Sequence, residues 1–235
     1  RRILIDSLIV YIGDVKLDSN DYGITFADPS ARYLIDVGTK NFTLVENGSK
    51  NIIGSKAGSF IVSPKLLENF MLEVSKDELV YTGEEIKPRF TLTYNGVALV
   101  ENTDYDIEYY DNTLATSSAS FTIKGKNNYS GSLSYDFVIK KATPTVELKK
   151  DIEVPFFVGD KLTPESIKPY LDFSTEGIID FTPINSLKLG GNTITYTFIP
   201  NDNLNYERIK GTIEPRAVYN VKVTFGVENN SKDVI

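Results

Sequence analysis

The sequence predicts an all-β fold repeated in tandem, and three observations carry that expectation. Apolar and polar residues alternate in short runs along the chain, which is the period of a half-buried strand. Clusters rich in Gly and Asn punctuate those runs, as turns between strands require. Residues that anchor one strand–turn–strand unit return at a fixed spacing. No window shows a 3.6-residue apolar face except short helical turns at Pro64–Phe70 and Pro164–Leu171. Many short strands with little helix imply a β-sandwich or barrel.

The clearest unit is Ala119–Lys141. Phe121 and Ile123 face one way, with Thr122 and Lys124 facing the other. A turn cluster from Gly125 to Gly131 follows. A second alternating run then places Leu133, Tyr135, Phe137 and Ile139 on one face. Strand, Gly/Asn turn and strand together read as an antiparallel hairpin.

The unit recurs. Gly54 and Phe60 correspond to Gly131 and Phe137, a spacing of 77 residues (137 minus 60). Asn128-Tyr129 corresponds to Asn205-Tyr206, again 77 apart (205 minus 128). In that register Phe198 falls on Phe121, and Ile213 falls one position from Phe137. Upstream, Asn20-Asp21-Tyr22 matches Thr103-Asp104-Tyr105 at a spacing of 83 (105 minus 22). The first copy therefore carries six extra residues, 83 minus 77, placed in a loop near Asp28-Pro29-Ser30. Tyr81-Thr82-Gly83-Glu84 matches Phe157-Val158-Gly159-Asp160 at 76 (157 minus 81), and the first copy has no equivalent of it.

Within the second copy the expected strands are 72–75, 78–82, 89–94, 97–100, 105–110, 117–124 and 132–140. Phe90, Leu92 and Tyr94 alternate with Thr91 and Thr93. Tyr94-Asn95-Gly96-Val97 reads as a tight hairpin, with Asn-Gly supplying the positive φ angles of a type I′ turn. Ile107 and Tyr109 alternate with Asp106 and Glu108. Phe60–Val62, Phe137–Ile139 and Gly211–Pro215 close the three copies. Ser63-Pro64-Lys65 and Lys140–Pro144 link them, so the linkers are short and stiff. Val221, Val223 and Phe225 alternate after the third copy and read as the start of a further module.

Composition narrows the function classes. The 235 residues suffice for two or three small domains, and 41% hydrophobic content can fill their cores. Charged residues at 24% argue against disorder. A net charge of −7 argues against nucleic acid and anionic membrane, which both require basic patches. With no Trp, 13 Phe and 14 Tyr must supply the large core side chains. Cys and His are absent, which removes disulfides, thiol nucleophiles, cysteine or histidine zinc sites and every His-based triad. The longest apolar run, Ser7–Ile12, is far short of the roughly 20 residues a membrane helix needs. Asp6 interrupts the apolar start, so Arg1-Arg2-Ile3 onward reads as strand rather than leader, and the chain as a segment or mature form of a longer protein.

The second copy resembles a repeat of large surface proteins from low-GC bacteria. Tyr81-Thr82-Gly83, Pro88, Tyr94-Asn95-Gly96, Thr103-Asp104-Tyr105 and Gly125 with Asn128-Tyr129-Ser130-Gly131 carry the likeness, over roughly residues 72–142. The third copy is similar to the related bacterial Ig-like modules called MBG-type, through Phe198, Pro200, Asn205 and Tyr206. The first is a degenerate copy, with Ile52-Ile53 where Asn-Tyr would be. The resemblance implies tandem Ig-like β-sandwich modules in an extended arrangement. The implied division is 1–65, lacking its first strand, 66–142, 143–218 (MBG-type), and 219–235 as the start of a further module or a trailing strand. It implies an extracellular location on a bacterial cell surface or wall, and roles in stalks or adhesion. It implies no catalytic residue.

Several clusters could still carry chemistry. Asp104-Tyr105-Asp106 and Asp18-Ser19-Asn20-Asp21 could offer oxygens to calcium, but neither has EF-hand spacing and both suit strand-initiating turns. Asn201-Asp202-Asn203 reads as a loop before Asn205-Tyr206, with Tyr206 closing the sandwich end like a tyrosine corner. Tyr109-Tyr110 and Phe156-Phe157 could stack on sugars, yet adjacent strand residues point to opposite faces, so one of each pair belongs to the core. Glu84-Glu85 and Asp151/Glu153 could pair as glycosidase acids, which need a cleft that small sandwiches do not offer. Intramolecular Lys–Asn cross-links need a buried Lys beside an Asn and an acid, an arrangement that sequence does not reveal.

The expectation is a non-enzymatic, monomeric stalk or spacer with no catalytic, cofactor-binding or metal-binding residue. Its partners would be a host or cell-wall protein or glycan, with no nucleic acid and no membrane insertion. Two alternatives remain: a host glycan- or protein-binding module, and accessory domains of a larger secreted enzyme.

Overall fold

The computed structural model describes residues 9–28, 36–48, 53–150 and 156–221. Strands predominate, and helix among the described residues is limited to a few short turns, so the chain is all-β. None of those helices is long and apolar enough to cross a membrane. The chain separates into two compact units: Arg1–Glu78 with Lys87–Asn112 and Ser117–Val138, and Leu79–Ile86 with Thr113–Thr116 and Ile139–Ile235.

The first unit opens with a small hairpin, β1 (Tyr11–Ile12) with β2 (Val15–Lys16), turned at Gly13 with φ at 57°. β3 (Tyr22–Phe26), β4 (Gly38–Glu46) and β5 (Ser55–Val62) then form an antiparallel sheet with β4 in the middle. Phe26, Phe42 and Phe60 run across it with ring centroids 6.4 and 6.1 Å apart. Phe42 lies over Gly58, where a Cβ would meet the ring at 2.6 Å, so only glycine leaves room.

β6 (Lys65–Leu66) leads into a 3-10 turn at Leu67–Asn69 within the expected Pro64–Phe70 turn. Leu67, fully buried, anchors it. β7 (Met71–Val74), β8 (Phe90–Tyr94) and β9 (Val97–Ala98) form a second sheet. Asn95 and Gly96 have φ of 49° and 76° in the β8–β9 turn, and Tyr94 pairs with Val97, as a type I′ hairpin requires.

β10 (Tyr105–Tyr110), β11 (Thr116–Gly125), β12 (Tyr129–Ser130) and β13 (Ser132–Ile139) complete the second copy. β10, β11 and β13 form a sheet with β11 in the middle, the arrangement of β3, β4 and β5. Tyr22 and Tyr105, matched in sequence, are the buried first residues of β3 and β10. Ala119, Phe121 and Ile123 point inward with no solvent exposure. Phe121 stacks on Phe90 from the facing sheet, centroids 5.1 Å apart at 19°. Fully burying one such side chain contributes about 1.5–3 kcal/mol.

Two expectations in this copy are corrected. The 78–82 stretch forms no strand: it makes one parallel bridge, Val80 to Lys140, with the Tyr81 N–H donating to the Lys140 carbonyl at 2.9 Å. A single bridge leaves the rest of the stretch free to turn at Gly83, where φ is 88°. The 125–131 cluster is more than a turn, because β12 inside it pairs in parallel with β6. Tyr135 follows its predicted face by stacking on Phe121 at 5.6 Å, although it is 39% exposed.

In the second unit β14 (Val146–Leu148), β15 (Phe156–Phe157) and the helical turn α1 (Pro164–Ile167) precede β16 (Leu171–Phe173) and β17 (Gly177–Asp180). The α1 start is a capping box: the Ser166 N–H donates to Thr163 Oγ1 at 3.2 Å and the Thr163 N–H to Ser166 Oγ at 2.8 Å. α1 and the following 3-10 turn at Lys168–Tyr170 fill the expected Pro164–Leu171 turn, and Ile167 plugs the core. β18 (Gly190–Gly191), β19 (Ile194–Pro200), β20 (Ile209–Ile213) and β21 (Arg216–Val218) follow. β17, β19 and β20 form a third three-stranded sheet with β19 in the middle.

Phe198 in β19 is fully buried and stacks on Phe173 at 5.2 Å and 20°, matching Phe121 on Phe90. Val146, Phe156, Leu162, Leu171, Leu187 and Ile194 close the interior around it. The expected last strand, Gly211–Pro215, is corrected: beyond Pro215 the chain continues as β21, which pairs in parallel with β15 and antiparallel with β18. Pro lacks an N–H, so the ladder breaks there and the chain changes sheets.

Candidate functional site

The most specific polar constructions among the described residues are built around the two Asn-Tyr turns. In the first unit, Asn128 Oδ1 accepts the Val37 N–H at 2.9 Å and its Nδ2 donates to Asp36 Oδ1 at 3.2 Å. The Asn128 carbonyl accepts the Lys65 N–H at 2.9 Å, and this bond continues into the β6–β12 pair. One asparagine thereby holds the stretch before β4 and the linker after β5. Tyr129 then packs edge-on against Phe70 at 5.5 Å, and Lys65 Nζ lies 3.9 Å from the Tyr94 ring centroid.

The second unit repeats the arrangement. Asn205 Oδ1 accepts the Ala115 N–H at 2.8 Å, and its carbonyl accepts the Ala142 N–H at 2.8 Å. Tyr206 bridges Ala142 in parallel, as Tyr129 bridges Lys65. Tyr206 packs edge-on against Tyr81 at 5.5 Å. The linker donors Lys65 and Ala142 are 77 apart, and the loop donors Val37 and Ala115 are 78 apart. The amide nitrogen of Asn205 donates to Asp202 Oδ2 at 2.9 Å, which fixes the side-chain flip and turns the carbonyl toward Ala115. That bond from the Asn205 side chain holds the Asp202 carboxyl below its ordinary value.

The acidic clusters hold turns. Asp18 Oδ1 accepts both the N–H and the Nδ2 of Asn20, at 2.9 and 2.8 Å. Asp104 Oδ2 accepts the Val100 N–H at 2.9 Å, and Asp106 pairs with Lys126 at 2.8 Å. Between them Tyr105 is buried. Among the described residues no group of three or more His, Cys, Asp or Glu side chains is placed to hold a metal ion.

The aromatic pairs divide as strand geometry requires. Tyr109 leans on Phe121 at 5.8 Å, whereas Tyr110 is exposed and donates to Glu108. Phe156 is buried and Phe157 only partly so. Glu84 and Glu85 lie on the surface. Asp151 and Glu153 lie outside the described residues, as do Pro29, Ser30 and Ile52.

Sequence reading pointed to Tyr206, but the buried member of that turn is Asn205, 5% exposed. Asn192 was also missed. It closes its own loop by accepting from the Lys188 N–H at 2.9 Å and donating to the Lys188 and Gly190 carbonyls. The recurrence of Asn128 at Asn205 was the available signal for the joint, and nothing comparable marked Asn192. No family model, curated protein or solved structure matches this chain.

Proposed function

We propose that this chain is a non-enzymatic run of tandem Ig-like β-sandwich modules serving as a stalk or spacer on a bacterial cell surface or wall. The division into modules at 1–65, 66–142 and 143–218 belongs to the same proposal. One observation carries it: the hydrogen-bonded cradle around Asn128 recurs around Asn205 at the repeat spacing. A catalytic scaffold has no need to reproduce the attachment of its linkers. A spacer does, because a linker bonded on both sides loses the torsional freedom that would let successive copies swing. Each such bond contributes only about 0.5–1.5 kcal/mol, so stiffness rests on several acting together.

Small-angle X-ray scattering of the native chain and of the Asn128→Ala/Asn205→Ala variant tests this reading. The native profile should fit one conformer, and the variant should require a broad ensemble with a wider spread of maximum dimensions. Identical, freely hinged profiles for both would overturn it.

A further inference from the structure

We propose that Lys140-Lys141 is a masked cleavage site for a trypsin-like protease, held shut by the bonds of the strap that carries it and opened when that strap comes away. Two consecutive lysines on an exposed connection are what such an enzyme cuts, and both residues are exposed here. Exposure of the lysine is not enough, however. A protease takes the residues around the bond as an added strand, engaging the N–H and C=O groups of alternate residues and seating the lysine side chain in its own pocket.

Each of the two candidate bonds is blocked. For a cut after Lys140 the main-chain groups of Lys140 and Ala142 must be available, and both residues are already paired. The Lys140 N–H donates to the Leu79 carbonyl at 2.8 Å, and the Lys140 carbonyl accepts the Tyr81 N–H at 2.9 Å. The Ala142 N–H donates to the Asn205 carbonyl at 2.8 Å, and the Ala142 carbonyl accepts the Glu207 N–H at 2.9 Å. For a cut after Lys141 the side chain of Lys141 must be available, and its ammonium donates to the Asn203 carbonyl.

The flanks are anchored as well. Ile139 is 2% exposed and Pro144 is fully buried, so the strap cannot slide outward from either end. The two short pairings of the strap are tied to each other by Tyr81, which packs edge-on against Tyr206 at 5.5 Å. All of these groups belong to the second unit. Freeing the site means giving up the pairings at Lys140 and Ala142 together, so the rate of cutting follows the population of the opened strap. Once open, a water adds across the Lys140–Lys141 or Lys141–Ala142 amide and leaves a carboxylate on the first residue and an amine on the second. The site thus turns release of the Asn205–Tyr206 turn into a permanent break in the chain. The proposal stands on these bonds and is independent of the spacer reading.

Initial rates of trypsin digestion of the intact chain, with the cuts located by mass spectrometry, test it. A synthetic peptide of residues 136–147 gives the rate for the same two bonds without the strap's contacts. Cutting after Lys140 and Lys141 should be at least about a hundredfold slower in the chain than in the peptide. Tyr81→Ala removes the ring packed on Tyr206 and leaves the backbone bonds in place. It should raise cutting at these two bonds about tenfold relative to the cut after Lys210 in β20. Hydrogen exchange in the native chain is a second measurement that needs no variant: the amides of Tyr81, Lys140, Ala142 and Glu207 should be protected to a similar degree, as parts of one opening. Cutting of the native chain at the peptide's rate would overturn the proposal, as would an unprotected amide at Lys140 or Ala142. An unchanged ratio in a folded Tyr81→Ala chain would also overturn it, by showing that the site opens only when the whole unit unfolds.

Discussion

The ring of Phe121 lies nearly parallel to that of Phe90, 19° apart in tilt and 5.1 Å between centroids, and joins the two sheets of the second copy. Tyr109, Tyr135 and Phe137 surround the same ring within 6.3 Å, so few neighbours can move to refill its volume. Phe121→Ala should therefore cost about 3–5 kcal/mol. Urea unfolding followed by tyrosine fluorescence measures this, and an unchanged transition would refute the core assignment.

Asn205→Ala removes the acceptor for the Ala115 N–H and the donor to Asp202 together. We expect a loss of about 1–3 kcal/mol, since a part-buried N–H is left without its partner. Amide exchange at Ala115 should accelerate in the variant, while exchange at Ile194 in β19 should change far less.

Two glycines should both lose stability on substitution by alanine, by different amounts and for different reasons. Gly96 has positive φ and open space around its missing Cβ, so Gly96→Ala costs only backbone strain, about 1–2 kcal/mol. At Gly177 a Cβ would lie 2.5 Å from the Phe198 ring and 2.6 Å from the Ile199 carbonyl oxygen. Overpacking against backbone should make Gly177→Ala the worse substitution, at about 3 kcal/mol. Paired melting curves decide the order.

Acid sensitivity follows from three carboxylates. Asp202 is held down mainly by the Asn205 side chain, Glu108 by Lys124 and Asp77 by Ser75 and Arg89. A lowered folded-state value means that the stabilisation is complete above the ordinary carboxylate range and is lost as pH falls through the folded value. The chain has no His, so no side chain ordinarily titrates between pH 5 and 8. The urea midpoint should be flat across that interval and fall below pH 4. The Asp202→Asn variant should lose the acid-induced shift of the Ala115 amide resonance.

Local pattern made much of the fold legible. The strands expected at 89–94, 105–110, 117–124 and 132–140 each agree with β8, β10, β11 and β13 to within a residue or so, because alternation and a buried face coincide there. The Asn95-Gly96 turn was readable because its backbone demands those residues. What escaped was non-local. The pairing of Tyr129 with Lys65 joins positions 64 apart (129 minus 65), and no local period encodes it. Val80 failed as a strand for the same reason, since its one bridge is to Lys140. Asn128 and Asn205 stood out by recurrence alone, because an asparagine that ends a turn and one that holds a linker look alike in sequence.

The parallel pairing of β15 with β21 has a consequence under load. Force applied at the N-terminal end of one and the C-terminal end of the other pulls them along their length in opposite directions. Their bonds are then strained in shear, and several must rupture at once rather than unzip singly. The Val80–Lys140 bridge has the same polarity. A chain pulled from those ends would resist at these short parallel pairs before the interior around Phe198 was exposed.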